Sequence, residues 1–240
     1  ATHTDGTRVD LQAGDSVYQG DTLESGADGA IAIVLADQTT FSMAENGSIT
    51  LDEMVYDPGT QEGGIALSVV QGVFTFVSGE IAKTDPDAMT LATPVATIGI
   101  RGTQLAMSFN PTDGGGDGLK VVLMKESSGF VGELVVQNAG GVQTLNVADM
   151  GTSVMSAAAK PSAPVHFDRS AIGAAFGGAL KALPEGVGGK NYGEEEKATE
   201  ETTEQEAGEE EAATEEELLE EEGLEEEGLE EEGLEEEILE

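Results

Sequence analysis

Three features of this 240-residue chain predict an all-β fold. Turn-forming pairs recur about every 8–12 residues, the spacing of a barrel, sandwich or solenoid of short strands. Between those turns, apolar residues alternate with a period of two, as in half-buried strands. No helical pattern separates the segments, although a parallel α/β sheet needs such crossovers. The predicted architecture is a β-solenoid/β-roll or twisted sandwich of many short strands. A short C-terminal helix and a disordered acidic tail complete it.

The organising stretch is Thr93 to Thr103. It reads as a strand that starts at Pro94, which cannot donate to a ladder and suits a strand start or edge. Ala96, Ile98 and Ile100 then share one face. Beyond Gly102 the apolar set is Leu105, Met107 and Phe109, at odd rather than even positions. Such a phase change inside a β run implies a bulge or tight corner, which Gly102 tolerates.

The other elements follow in order. Residues 1–21 alternate weakly, with turns at Gly14-Asp15 and Gly20-Asp21. Asp28-Gly29 suits a tight hairpin before Ile31, Ile33 and Leu35. Asp37-Gln38 turns into Thr39, Phe41 and Met43, and Asn46-Gly47 turns into Ile49 and Leu51. Asp57 opens a loop to Gly64. Ile65 to Val70 and Val73 to Val77 read as two strands around Gln71-Gly72, followed by a Ser78-Gly79 turn. Three further strands are expected at Leu119 to Met124, Leu134 to Gln137 and Val142 to Val147. Asp168 is a helix N-cap candidate, Ile172, Phe176 and Leu180 make an i, i+4, i+8 stripe, and Pro184 stops the helix. This helix is expected against the β body, covering an end of it. The organisation is therefore a β domain over 1–156, a linker over 157–193 holding a helix at 168–183, and a Glu-rich tail over 194–240.

The net charge of −38 is uneven, because residues 194–240 hold 26 of the 48 acids and one base, Lys197. The remainder carries 22 acids against 9 bases, a net −13. Without a basic patch, nucleic acid is excluded as a partner. No run of 18 apolar residues occurs, so no membrane span is expected. Cysteine is absent, which removes disulfides and thiolate metal sites. A start at Ala1 rather than Met reads as a processed or trimmed chain. In the tail, Gly-Leu-Glu-Glu-Glu repeats place a leucine every five residues, which advances about 140° around a helix and forms no seam. The tail reads as a solvated spacer. Weak divalent-cation binding is its second reading and an export or docking segment its third.

Candidate chemistry is sparse. His3 sits near a terminus expected to fray, and His166 sits in a linker. No nucleophile elbow or phosphate loop accompanies them. Asp15, Asp21, Asp28 and Asp37 all fall at turns, where they cap local backbone. Gly114 to Leu119 faintly matches one calcium-binding repeat, but a single copy reads as a plain loop. Arg101 is the one base in the central run. It is either a brace at the corner or a contact to an anionic partner. No cofactor, metal or catalytic residue is assigned.

Residues 9–155 resemble a FecR domain, the periplasmic module of the iron-dicitrate sensor family. The resemblance rests on Gly14 to Val17, Gly20 to Gly26, Asp28-Gly29-Ala30, Gln71 to Gly79 and, most specifically, Thr93 to Thr103. It implies a β-solenoid-type module that binds protein, with Thr93, Pro94, Thr97, Gly99, Arg101, Gly102 and Thr103 as structural or partner-contact residues. Family members of known role hand a signal from an outer-membrane receptor to a sigma factor. This chain departs from that plan. It lacks a cytoplasmic anti-sigma segment, and Asp37-Gln38 stands where the family commonly has aspartate-glycine. It is more similar to stand-alone FecR domains of bacterial secreted or surface proteins, which implies a periplasmic, extracellular or cell-surface location. The reading is a non-enzymatic module that binds an envelope or surface protein, or a glycan. The alternatives are an envelope signalling component acting on a sigma-factor regulator, and a carbohydrate-active enzyme with paired carboxylates about 5–10 Å apart.

Overall fold

Short alternating strands bury their apolar face only against another layer. Here one long strand bends and serves both layers. The computed structural model describes residues 1–85, 87–112 and 115–188, so expectations for the 194–240 tail lie outside the described residues. The strands are β1 (Thr22–Glu24), β2 (Ile31–Val34), β3 (Thr40–Met43), β4 (Ser48–Asp57), β5 (Glu62–Val77), β6 (Met89–Ala92) and β7 (Thr97–Arg101). They continue as β8 (Gln104–Asn110), β9 (Gly118–Met124), β10 (Glu133–Asn138), β11 (Gly141–Leu145), β12 (Met150–Val154) and β13 (Val165–His166). Helix α1 spans Glu80–Thr84 and α2 spans Arg169–Ala182. The all-β fold class is thus what the chain adopts.

The strands form one curled sheet with two halves. The first half runs β1-β4-β5-β6-β7-β10-β11. The second runs β2-β3-β5-β8-β9-β12-β13. The N-terminal part of β5 pairs with β4 and β6, and its C-terminal part pairs with β3 and β8. The two strands expected around Gln71-Gly72 are therefore a single bent one. Gly72 makes the bend at φ +116°, and a Cβ there would lie 2.5 Å from the Gly47 Cα. The Asn46-Gly47 turn and the Gln71-Gly72 bend thus pack backbone to backbone.

All described pairings are antiparallel except β5 with β6, so the stacked parallel rungs of a solenoid are not what these registers describe. That parallel pair comes from a short crossover holding α1, which the alternation pattern does not reveal. Because β5 ends in the second half while β6 pairs with Ile65–Ser68, the chain must travel back between them.

The core lies between the halves. Leu51, Leu67, Leu91, Ile98 and Val136 form one inward row by register. Ile33, Phe41, Phe76, Leu105 and Leu123 form the facing row. Phe76 stacks on Phe41 at 5.5 Å and on Phe74 at 6.0 Å between ring centroids. The phase change at Gly102 (φ +57°) marks the passage from β7 in the first half to β8 in the second. Even positions point inward before it and odd positions after it, and both sets reach the same core.

Helix α2 covers the outer face of the second half, not an end of the body. Ile172, Phe176 and Leu180 pack on Ala106, Val122 and Met124. The Asp168 carboxyl accepts from the Ala171 amide at 2.7 Å, and the Ser42 hydroxyl donates to the Ala179 carbonyl at 2.6 Å. Ala106 and Ser108 are therefore buried as well as the inward residues, and β8 is exposed only at its last residue.

In the β2–β3 turn, exposed Gln38 sits at φ +70°, a conformation that costs an L side chain about 1–2 kcal/mol. Replacing Gln38→Gly should raise stability by about 0.5–1 kcal/mol in chemical denaturation, after allowing for the extra freedom of the unfolded chain. A loss of stability would contradict this reading of the turn.

Candidate functional site

Two of the stretches that carried the resemblance, Gln71 to Gly79 and Thr93 to Thr103, reach the ends of the β body, and the β2–β3 turn joins them at one end. At one end, Asp37, Thr39, Ser78, Gly79 and Thr103 form a buried polar corner. Asp37 is fully buried. Its carboxyl oxygens accept from the Thr39 amide at 3.0 Å, the Thr39 hydroxyl at 2.7 Å and the Ile81 amide at 3.3 Å. Its carbonyl accepts from the Glu80 amide at 2.9 Å. Helix α1 begins at Gly79, which has no side chain to cap it, so Asp37 supplies the cap from another turn. The Gly79 amide donates to the Thr39 hydroxyl at 2.9 Å. A Cβ on Gly79 would lie 2.2 Å from the Asp37 carbonyl oxygen, so glycine alone permits this approach.

The β7–β8 corner joins the same set. The Thr103 amide donates to the Ser78 hydroxyl at 2.7 Å, and the Ser78 amide donates to the Thr103 carbonyl at 3.0 Å. The Thr103 hydroxyl donates to the Met124 carbonyl at 3.2 Å. A local Asx turn at Asp37 was legible in sequence. Its reach to Ile81 was not, because no local pattern announces a partner 44 positions away.

Arg101 stands outside this corner, on the outer face of the first half. Its guanidinium donates to Asp87 at 2.8 Å and to Glu133 at 2.5 Å. Glu133 is its register partner on β10. Hydrogen bonds to Asp87 and then Glu133 raise its pKa above the ordinary arginine value. In this structure Arg101 is a cross-strand brace, and both its carboxylates are internal.

At the opposite end, Thr93 to Ala96 form the turn of the β6–β7 hairpin. The strand begins at Thr97, so Pro94 is a turn residue rather than the strand's first. It occupies the second position of a four-residue turn, where its fixed φ is favourable. The Thr93 amide donates to the Ala96 carbonyl at 2.9 Å, and the Thr93 hydroxyl accepts from the Ala96 amide at 3.0 Å. Asn138, which the sequence reading did not single out, staples this end. Its side-chain amide donates to the carbonyls of Val95 at 3.1 Å, Ser156 at 3.1 Å and Ala159 at 2.8 Å. Thr97 and Gly99 lie between the two ends on the outward face of β7, partly exposed.

The remaining candidates are held apart. Asp15 caps Gln12 at 2.7 Å. Buried Asp21 accepts from the Tyr18 amide at 2.9 Å and pairs with His3 Nδ1 at 2.7 Å. His3 is thus held rather than frayed, since Thr2 exchanges amide bonds with Thr22 at 2.8 and 2.9 Å. His166 lies on β13. Residues 113 and 114 of the glycine-rich loop lie outside the described residues. Asp117 beside them takes the Asn110 amide at 2.9 Å and the Lys120 ammonium, which together lower its pKa. Among the described residues, no three His, Asp or Glu side chains gather as metal ligands.

The two polar features should differ in weight. Asp37→Ala leaves several buried donors unpaired and should cost about 3 kcal/mol or more in denaturant unfolding. Arg101→Ala removes pairs exposed enough for water to compete, and should lower the melting temperature by much less. An Arg101 effect equal to that of Asp37 would contradict this ranking.

Comparison with known proteins agrees with the motif reading. The family model described as FecR protein matches residues 21–126. No curated protein matches. Among solved structures, the chain is similar to two crystal structures of a candidate anti-sigma factor from Parabacteroides distasonis. One has a TM-score of 0.47 at 11% identity and the other 0.44 at 9%. Each alignment covers 61% of this chain and 59% of that chain. The matched residues begin at the buried Asp21 and contain the whole Asp37–Gly79–Thr103 corner, so this corner lies within the stretch that is similar to the FecR family model.

Proposed function

We propose that this chain is a non-enzymatic, extracytoplasmic interaction module of the FecR type, acting at the bacterial envelope by binding a protein partner. The observation that carries the reading is how the polar groups of the matched stretch are used. Asp37, Thr39, Ser78, Thr93 and Thr103 all spend their hydrogen bonds inside the fold. These residues, all within the stretch matched by the family model, shape a scaffold, and the scaffold offers its surfaces. The acids that the fold brings together, Asp87 and Glu133, are both tied to Arg101, which suits a brace better than acid–base catalysis.

The family match supports envelope signalling as strongly as simple adhesion. In a signalling role the domain passes receptor state to a sigma-factor regulator. Among the described residues no helix is long and apolar enough to cross a membrane, so such a relay needs a partner or a further segment to reach across. The acidic region 194–240 serves in this reading as a solvated spacer.

Deleting the coding region for residues 21–126 in the source cell separates the readings. A relay predicts a several-fold change in transcription from the promoter of a neighbouring sigma factor. A plain binding module predicts unchanged transcription with loss of a specific envelope complex. No change in either would overturn both.

A further inference from the structure

A sheet that does not close on itself ends in strands whose outer backbone groups lack a ladder partner. Such edges recruit other strands unless they are guarded. Among the described residues, the first half ends in β1 and β11 and the second in β2 and β13. Three of these edges are guarded. Along β1, Thr2 exchanges amide bonds with Thr22, and Arg8 pairs with Glu24 at 3.6 Å. On β11, the Gln143 side chain donates to the Thr144 carbonyl at 2.9 Å, and the Lys160 chain runs past Gly141. At β13, Pro164 directly precedes a strand of two residues, and proline brings no amide to a ladder.

Strand β2 has none of these devices. No charge and no proline occurs between Asp28 and Asp37. The hairpin fixes which backbone groups of β2 are free. The Leu35 amide donates to the Thr39 carbonyl at 2.8 Å, so by antiparallel alternation Ile33 and Ile31 also bond β3. The amides and carbonyls of Ala32 and Val34 therefore point away from β3, toward the open edge. Val34 is 61% exposed, while Ile31 and Leu35 are partly buried against the core. The run Ala30-Ile31-Ala32-Ile33-Val34-Leu35-Ala36 is also nearly palindromic about Ile33. A two-fold axis through Ile33 sets Ala32 opposite Val34, Ile31 opposite Leu35 and Ile33 opposite its own copy, with an apolar pair at each position. The parity agrees. Pairing Ala32 with Val34 uses the groups that β3 leaves free, and Ile33 falls at the close, non-hydrogen-bonded position.

We propose that β2 is a self-association edge: two copies of this chain pair β2 with β2, antiparallel about Ile33, and the second half of each sheet runs on into the other. The self-complementary run points to a second copy as the occupant rather than a foreign strand. The pairing stands apart from the partner-binding reading above and does not need it. It adds about four ladder hydrogen bonds and a short apolar strip, so association is weak, with a Kd on the order of 100 µM. Both copies are acidic, so salt tightens the pair by screening their repulsion. A pair presents every other surface twice, which strengthens any weak contact made elsewhere on the body.

The test is sedimentation equilibrium of the full chain at up to about 0.5 mM, in low and in high salt. The expected result is a concentration-dependent dimer that tightens several-fold with salt. Val34→Lys puts a charge on an exposed side chain of the edge, and should weaken the dimer about tenfold or more with the melting temperature unchanged. Val142→Lys, on the β11 edge, should leave the dimer intact. The lack of native cysteine permits a register test by mild oxidation. Ile33→Cys should cross-link to its copy, since residues opposed at the close position stand about 4.5 Å apart between Cα atoms. Adding Val34→Lys to that chain should abolish the cross-link. Ile31→Cys should not cross-link, because it faces Leu35. A chain that stays monomeric at both salts would overturn the proposal and leave the edge to a strand of another protein. So would a dimer that survives Val34→Lys, a dimer that weakens with salt, or cross-linking of Ile31→Cys as strong as that of Ile33→Cys.

Discussion

The constraint on which this fold depends is the burial of the Asp37 carboxyl group. A polar group at zero exposure is tolerated only when its hydrogen bonds are made. Asp37 makes them to its own turn and to the start of α1. Those bonds fix where β5 ends and where the crossover to β6 begins. The Ser78–Thr103 pair then sets β8 against the end of β5. Three chain segments far apart in sequence are locked by a few short side chains, and the two halves of the sheet close over the core from that point.

The second consequence is asymmetry. A sheet bent through β5 has an inside that fills with Phe, Leu, Ile and Met, and two outsides. One outside is closed by α2. Among the described residues no helix covers the other, two of whose outward rows are uncharged from β5 to β11.

Much of this was legible in the residues. Period-two alternation located most strands, because each has one face in the core. The phase change at Gly102 correctly marked a corner, since switching sheet halves while keeping one core forces the inward parity to flip. The helix after Asp168 was readable from its cap and its i, i+4 stripe. Other features were not. Gln71-Gly72 read as a break because positive φ glycines usually end strands, whereas here Gly72 bends a strand that continues to pair on both sides. Pro94 read as a strand start because the hydrogen bonds that make it a turn residue come from Thr93 and Asn138. Helix α1 is a single turn with too few residues for a period to emerge. The cap at Asp37 and the staple at Asn138 are long-range pairings, and sequence spacing carries no trace of them.

The most direct test of the central claim is native-state hydrogen exchange at the amides of Thr39, Gly79, Ile81 and Thr103. If the buried corner holds the two halves together, these four should exchange only through global unfolding. Their protection should equal that of the central amides of β5 and fall together with it as denaturant is added. Exchange of the four through a separate low-energy opening, while β5 stays protected, would show that the sheet closes without them and would contradict the account.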